Sequence, residues 1–297
     1  MKLRGKRLGA VLALGCALGV AVALYFETQP TSAEQHTRVV DAFGRLQTLD
    51  ARISEEALAA RSGFSASYDP LTRGTTQFAE ALSALEVELG PSCAEHPDLR
   101  EALAQLVREA EQRGAAVEEF KTRNAVLKNS LYYLPLAARQ LIDQLESEAP
   151  AAAGMAGGSV IEPTKEISEL VQLALAQNLL GGRAETARVE AQLEFVESLK
   201  PRIAAAALDR FQLLLAHART VSRTQQQVDP ILRQRVLGAP TRGTLAELER
   251  RYGRWFEAGL HAAATYRNIL YAWSTLLLLA VLGGALKLRS LYASLER

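Results

Sequence analysis

Apolar residues recur at three- and four-residue spacing along almost the whole chain of 297 residues, and no stretch keeps the strict alternation of a half-buried strand. Ala, Leu, Glu, Gln and Arg, all good helix formers, dominate the periodic segments. The pattern predicts an all-α fold. Glycine and proline punctuate it. Between the breaks, helices are expected over about 31–61, 71–89, 98 to near 148, 164–180 and 184–236, with a sixth starting beyond Gly243. Gly63 to Pro70 forms the first break, and Gly90-Pro91 through Pro97-Asp98 the second. Pro150 to Pro163, with Gly154, Gly157, Gly158 and Ser159, is a connector, and Gly181-Gly182 and Gly238 to Gly243 complete the set. Asp98 suits the N-cap of the third helix, and Thr244 followed by Glu247 makes a capping box for the sixth.

The third, fifth and sixth helices each approach fifty residues, or about 75 Å if straight. Rods of that length do not fit one compact bundle with partners half as long. The economical packing is two stacked helical bundle modules that share the long helices, about six helices in all. Pro135 and Pro201, inside the third and fifth helices, are expected to kink them near the module junction.

Two segments depart from the amphipathic pattern and are apolar all round: 8–26 and 269–286. Each is about long enough to cross a hydrocarbon core of roughly 30 Å. Lys2, Arg4, Lys6 and Arg7 precede the first, and Lys287, Arg289 and Arg297 follow the second. The positive-inside rule then puts both termini in the cytoplasm and the middle outside. The expected layout is a flank at 1–7, a first span at 8–26, an extracytoplasmic domain at 27–268, a second span at 269–286 and a tail at 287–297. A cleaved signal peptide and a lipoprotein anchored at Cys16 compete with an uncleaved anchor, which the 19 apolar residues and the Glu27-Thr28-Gln29-Pro30 context favour. Gly15, Gly19 and Ala23 give that first segment a small face for another helix, against the plain commonness of Gly and Ala in such segments. Tyr271 and Trp273 suit interfacial anchors.

Charge changes the picture only by its placement. Removing the +4 of the N-terminal flank and the +2 of the C-terminal flank from the overall +1 leaves the central domain at −5. A mildly acidic domain between basic flanks gives no reason to expect nucleic acid as a partner. With Cys16 in the first apolar segment, Cys93 is the domain's single cysteine and no internal disulfide is expected. Chemistry is sparse. His36, His96, His217 and His261 fall on separate elements without metal-ligand spacing, and no nucleophile elbow, P-loop or dinucleotide fingerprint occurs. No cofactor, metal or catalytic residue is expected.

One segment stands apart, Glu119 to Pro135. Phe120, Asn124, Leu127 and Leu131 share a stripe, which aims Asn124 into the bundle. Asn129, Ala125 and Tyr132 lie on an adjacent face. A buried amide needs a partner, so Asn124 either fixes helix register, as a lone core Asn does in coiled coils, or lines a polar ligand pocket with Asn129, Tyr132 and Tyr133.

The run Phe120-Lys121-x-x-Asn124-Ala125-x-Leu127-x-Asn129-Ser130-Leu131-x-Tyr133-x-Pro135 resembles the signature of the DAHL family, the double all-helical sensory domain found outside the membrane in bacterial sensor histidine kinases. Tyr68-Asp69-x-Leu71 and Tyr266-Arg267-Asn268-x-Leu270-Tyr271 resemble further pieces of it. The resemblance implies a helical sensor that signals through its second membrane helix, and it adds Tyr68 to the candidate ligand or signalling residues. Relatives of that kind continue into a phosphoacceptor helix and a kinase domain, whereas eleven residues follow the second span here. The expectation is a non-enzymatic, two-pass protein of a bacterial inner membrane that takes in a signal for a two-component-type system. Its expected partners are the lipid bilayer, a second copy in a homodimer, a separate histidine kinase or other signalling protein, and a small-molecule ligand or periplasmic binding protein. A structural envelope scaffold and the remnant of a truncated kinase are the alternatives.

Overall fold

A computed structural model describes residues 15–26, 33–65, 67–152 and 161–295. Every regular element among them is helical: α1 (Gly15–Phe26), α2 (Ala33–Ser62), α3 (Asp69–Glu95), α4 (Pro97–Ala152), α5 (Ile161–Leu180), α6 (Arg183–Ser198), α7 (Leu208–Pro230) and α8 (Thr241–Leu295). Two short 3-10 turns join α6 to α7, and a π-helical segment, Ile231–Leu237, extends α7.

The helices form where the apolar spacing demands. On α2, Val39, Phe43, Leu46, Ile53, Ala57 and Ala60 are buried at intervals that track 3.6 residues per turn. On α4 the buried stripe keeps a strict seven-residue step, Leu99, Leu106, Arg113, Phe120, Leu127, Leu134 and Leu141, the spacing of a helix that wraps its neighbours. Tertiary burial overrides local breakers in α3, which runs on through Gly90-Pro91 rather than ending before them. Leu89, Ser92 and Cys93, buried on either side of Pro91, hold that last stretch in place.

The fifth predicted helix is two helices. At Pro201 the chain leaves α6 and makes a 3-10 turn, with Ile203 extended at φ −87° and ψ 130°. Proline sits at the start of that turn, where its missing N–H needs no partner. Pro201 therefore ends a helix instead of kinking one, and the described helices from α2 onward number seven rather than six. Asp98 lies one residue inside α4, because the His96 carbonyl accepts the first helical bonds from Leu99 and Arg100 and Pro97 begins the helix. Thr244 likewise lies inside α8, so no capping box forms, and the Glu247 carboxylate instead accepts bonds from Arg250 and Arg251. Those bonds hold its pKa down at about 2. Pro150 is helical at the end of α4 and Pro163 is helical in α5, while Gly154, Gly157, Gly158 and Ser159 lie outside the described residues. Gly181 and Gly182, at φ 64° and 118°, make the reversal from α5 to α6 that other residues resist.

The chain divides into two compact units, one of 1–48, 78–106 and 242–297, the other of 49–77 and 107–241. The division falls within α2, α3 and α4 and at the start of α8, so Pro135 and Pro201 both lie inside the second unit and mark no boundary. In the first unit, Val39, Phe43, Leu82, Leu85, Leu248 and Tyr252 form the core. There His36 stacks on Phe256 at 3.7 Å and bonds to the Tyr252 hydroxyl at 3.3 Å. In the second, α5, α6 and α7 pack on one another around Leu170, Val189, Val196 and Leu214.

Between Ala205 and Lys287 lies one helical stretch long and apolar enough to cross a membrane, and none of it is buried. The stretch lies in α8, where Ile269, Leu276, Leu278, Val281 and Leu282 are all exposed. Only Gly15–Phe26 of the first apolar segment is described, as a shorter apolar helix. It meets α8 through Ala17, whose carbonyl accepts a bond from Trp273 Nε1 at 3.1 Å. The half-buried positions of α1 are Ala17, Ala21 and Leu24, so the face of Gly15, Gly19 and Ala23 points away from that contact. Trp273 thus spends its N–H on a neighbouring helix.

Candidate functional site

The site expected from sequence is built on α4 in the second unit. Asn124 is fully buried and its Nδ2 donates to the Ala60 carbonyl at 3.1 Å and to the Tyr68 hydroxyl at 2.9 Å. Ala60 is in the last turn of α2, where carbonyls lack helical partners. One turn along α4, Lys128 Nζ donates to the Ser65 carbonyl at 3.1 Å and stands 5.6 Å from the Tyr68 ring centre. Asn124 and Lys128 together clamp the passage from α2 to α3. Burial raises the Tyr68 pKa, partly offset by the bond from Asn124, while burial and then the nearby Arg61 charge lower that of Lys128.

Of the five residues singled out from sequence, the structure joins Asn124 and Tyr68. It leaves the other three on the outside of α4: Asn129 is exposed, as are Tyr132 and Tyr133. Their face needs no buried partners. Tyr133 stacks against His217 at 5.9 Å and meets Tyr132 edge to face. The Asn124 side chain also keeps one buried oxygen, Oδ1, without a hydrogen bond. Asn124→Ala is expected to cost about 1–3 kcal/mol, the cost of stranding a buried carbonyl, read as a lower denaturation midpoint of the full chain in detergent.

A second buried node lies outside the five candidate residues. Arg113 and Asp50, each 5% exposed, form an ion pair. Arg113 also donates from Nε to the Val236 carbonyl at 3.0 Å and from Nη2 to Ser54 Oγ at 3.0 Å, while Thr241 Oγ donates to Asp50 at 3.3 Å. The node ties α2, α4, the π segment and the first residue of α8. Its signal was present all along: Arg113 is the one charged member of the seven-residue stripe on α4.

A family model described as the DAHL domain matches residues 31–267. The chain belongs to the DAHL family. DAHL domains are sensory domains, and in this one the matched segment takes in the Asn124 clamp, the Arg113 node and α8 as far as Arg267. No curated protein and no solved structure matches the chain.

Proposed function

We propose that this DAHL protein is the signal-input component of a two-component-type system in a bacterial inner membrane. The reading places segments 8–26 and 269–286 across the membrane, domain 27–268 in the periplasm and both termini inside. The protein acts as a homodimer and hands its signal to a separate histidine kinase or other signalling protein, which performs any catalysis. The observation that supports this is the continuity of α8. Leu245, Leu248 and Tyr252 are buried in the first unit's core, and the same helix runs on without interruption into the exposed apolar stretch. An apolar helix surface of that extent is stable in lipid, not in water. A signal that changes the packing around Tyr252 and Phe256 therefore moves the membrane segment as a rigid rod.

Two fusions test the reading. Alkaline phosphatase is expected to be active when inserted at Phe64 and inactive when joined after Arg297, with a cytoplasmic reporter giving the reverse. Activity at both sites, or at neither, rules out the two-pass arrangement. Grafting residues 1–288 onto the kinase part of a dimeric two-span receptor should give an output that responds to periplasmic extract; constant output across such extracts would leave a scaffold as the better reading.

A further inference from the structure

The second unit holds two adjoining clefts away from the Asn124 clamp, where the α5–α6 turn meets the end of α7 and the π segment. One, of about 540 Å³, presents polar and apolar surface about equally and has Thr186, Glu190, Gln225, Gln226, Asp229 and Arg233 in its lining. The other, of about 500 Å³, is walled largely by Leu58, Phe64, Leu179, Leu232 and Leu237. Asp229 and Arg233 line both, so an acid and a base one turn apart stand on the divide.

One wall of the first cleft holds a buried acceptor with no donor. Gln225 is 3% exposed; its Nε2 donates to the Gln177 carbonyl at 2.6 Å, and its Oε1 is buried without a partner. Gln177, completely buried and outside the lining of both clefts, gives its Nε2 to Thr186 Oγ1 at 3.0 Å. Buried acceptors without donors are costly and mark a place that a donor-bearing group would stabilise. The Asp229 carboxylate takes one bond, from Arg61 Nε at 3.0 Å, on Oδ1. Oδ2 faces the Gly181–Gly182 reversal. Arg233 is exposed, and its guanidinium has no ion-pair partner among the described residues. The apolar cleft, in turn, has side chains still facing water: Phe64 is 91% and Leu179 83% exposed. The π segment that carries Arg233 and Leu232 is a helical form concentrated at functional sites.

We propose that the paired cleft binds a free α-amino acid with an apolar side chain. The α-ammonium goes to Asp229 and the oxygen-rich wall of Gln225, the α-carboxylate to Arg233, and the side chain to Phe64, Leu179 and Leu232. A polyol would satisfy the amides but leave the apolar half unused, and a plain organic acid would leave the acceptors unpaired; a zwitterion with an apolar tail uses both halves. The assignment rests on the reading of the chain as a signal-input protein, for which it names the ligand class.

The test is calorimetry and thermal unfolding of the full chain in lipid nanodiscs with L-leucine, L-phenylalanine, 4-methylpentanoate and 3-methylbutylamine. At least one of the two amino acids is expected to bind and raise the unfolding midpoint. The acid and the amine, each lacking one charge of leucine, are expected to bind roughly tenfold or more weakly, as loss of a charged hydrogen bond requires. Arg233→Gln, at an exposed position, should unfold at the wild-type midpoint and bind the amino acid roughly tenfold or more weakly. Absence of binding by both amino acids, equal binding of the single-charge analogues, or unchanged affinity in Arg233→Gln each overturns the assignment. The reporter fusions above do not depend on the ligand, so a failure here with the expected fusion results rejects the amino acid and keeps the membrane topology.

Discussion

Arg113→Met is expected to lower the unfolding free energy of the chain by about 3–5 kcal/mol, a large part of the total stability of an ordinary domain. The loss comes from what remains, not from what is removed. Without the guanidinium, the buried Asp50 carboxylate loses its ion pair with Arg113 and keeps weaker contacts such as the Thr241 hydroxyl at 3.3 Å, and the Val236 carbonyl loses the Arg113 donor. Asp50→Leu alone takes the Asp50 carboxylate away from a buried guanidinium that does not shed its charge at any pH a protein tolerates. The double variant Asp50→Leu/Arg113→Met leaves neither charge and is expected to recover most of the loss, because a well-packed apolar pair of similar volume about equals a buried ion pair. Urea denaturation of the three variants in detergent, followed by helical circular dichroism, reads the cycle directly. If both single variants unfold at the wild-type midpoint, the node carries no structural weight.

Thr265→Pro is expected to abolish signal transfer while leaving the packed units folded. Proline at 265 removes the helical bond to the His261 carbonyl and pushes its ring against that same group, at a cost of about 3 kcal/mol or more and a sharp kink. Thr265 is exposed and lies beyond Tyr252, the last buried residue of α8 among the described residues, so the damage falls on the connection rather than on the core. Thr265→Ala, which keeps the helix and loses only a hydroxyl bond to the His261 carbonyl, is the matched control. In a cell-based assay of the grafted receptor, Thr265→Ala should respond like the parent and Thr265→Pro should sit at one fixed output. A normal response from Thr265→Pro would mean that α8 does not carry the signal.

Much of this was written in the sequence, and the exceptions have physical causes. The stripe on α4 was legible because each of its members from Leu99 to Leu141 repeats at one interval, and Asn124 was legible because it shares a face with Phe120 and Leu127. Proline read less well. Pro91 and Pro201 carry the same local penalty, yet one is absorbed into a helix held by Leu89 and Cys93 while the other opens a 3-10 turn. Only the packing around each decides between them. Tyr132 and Tyr133, expected from the sequence to line a polar pocket with Asn124, lie on an exposed face of α4, apart from the buried Asn124. The Asp229–Arg233 cleft was beyond sequence reading because its walls come from α2, α5, α6, α7 and the π segment, brought together only by folding.

The unbroken course of α8 has one more implication. Each residue along an α-helix turns the chain by about 100° and advances it by about 1.5 Å, so every side chain of the apolar stretch has a fixed angular address relative to Tyr252. Between Gly259 and Asn268 the side chains are mostly exposed, so no core packing fixes the size of each one. Length is not. Adding or losing a single residue in that stretch would swing the membrane-side face through more than a quarter of a circle, so the segment's residue count is under tighter constraint than any of its residues.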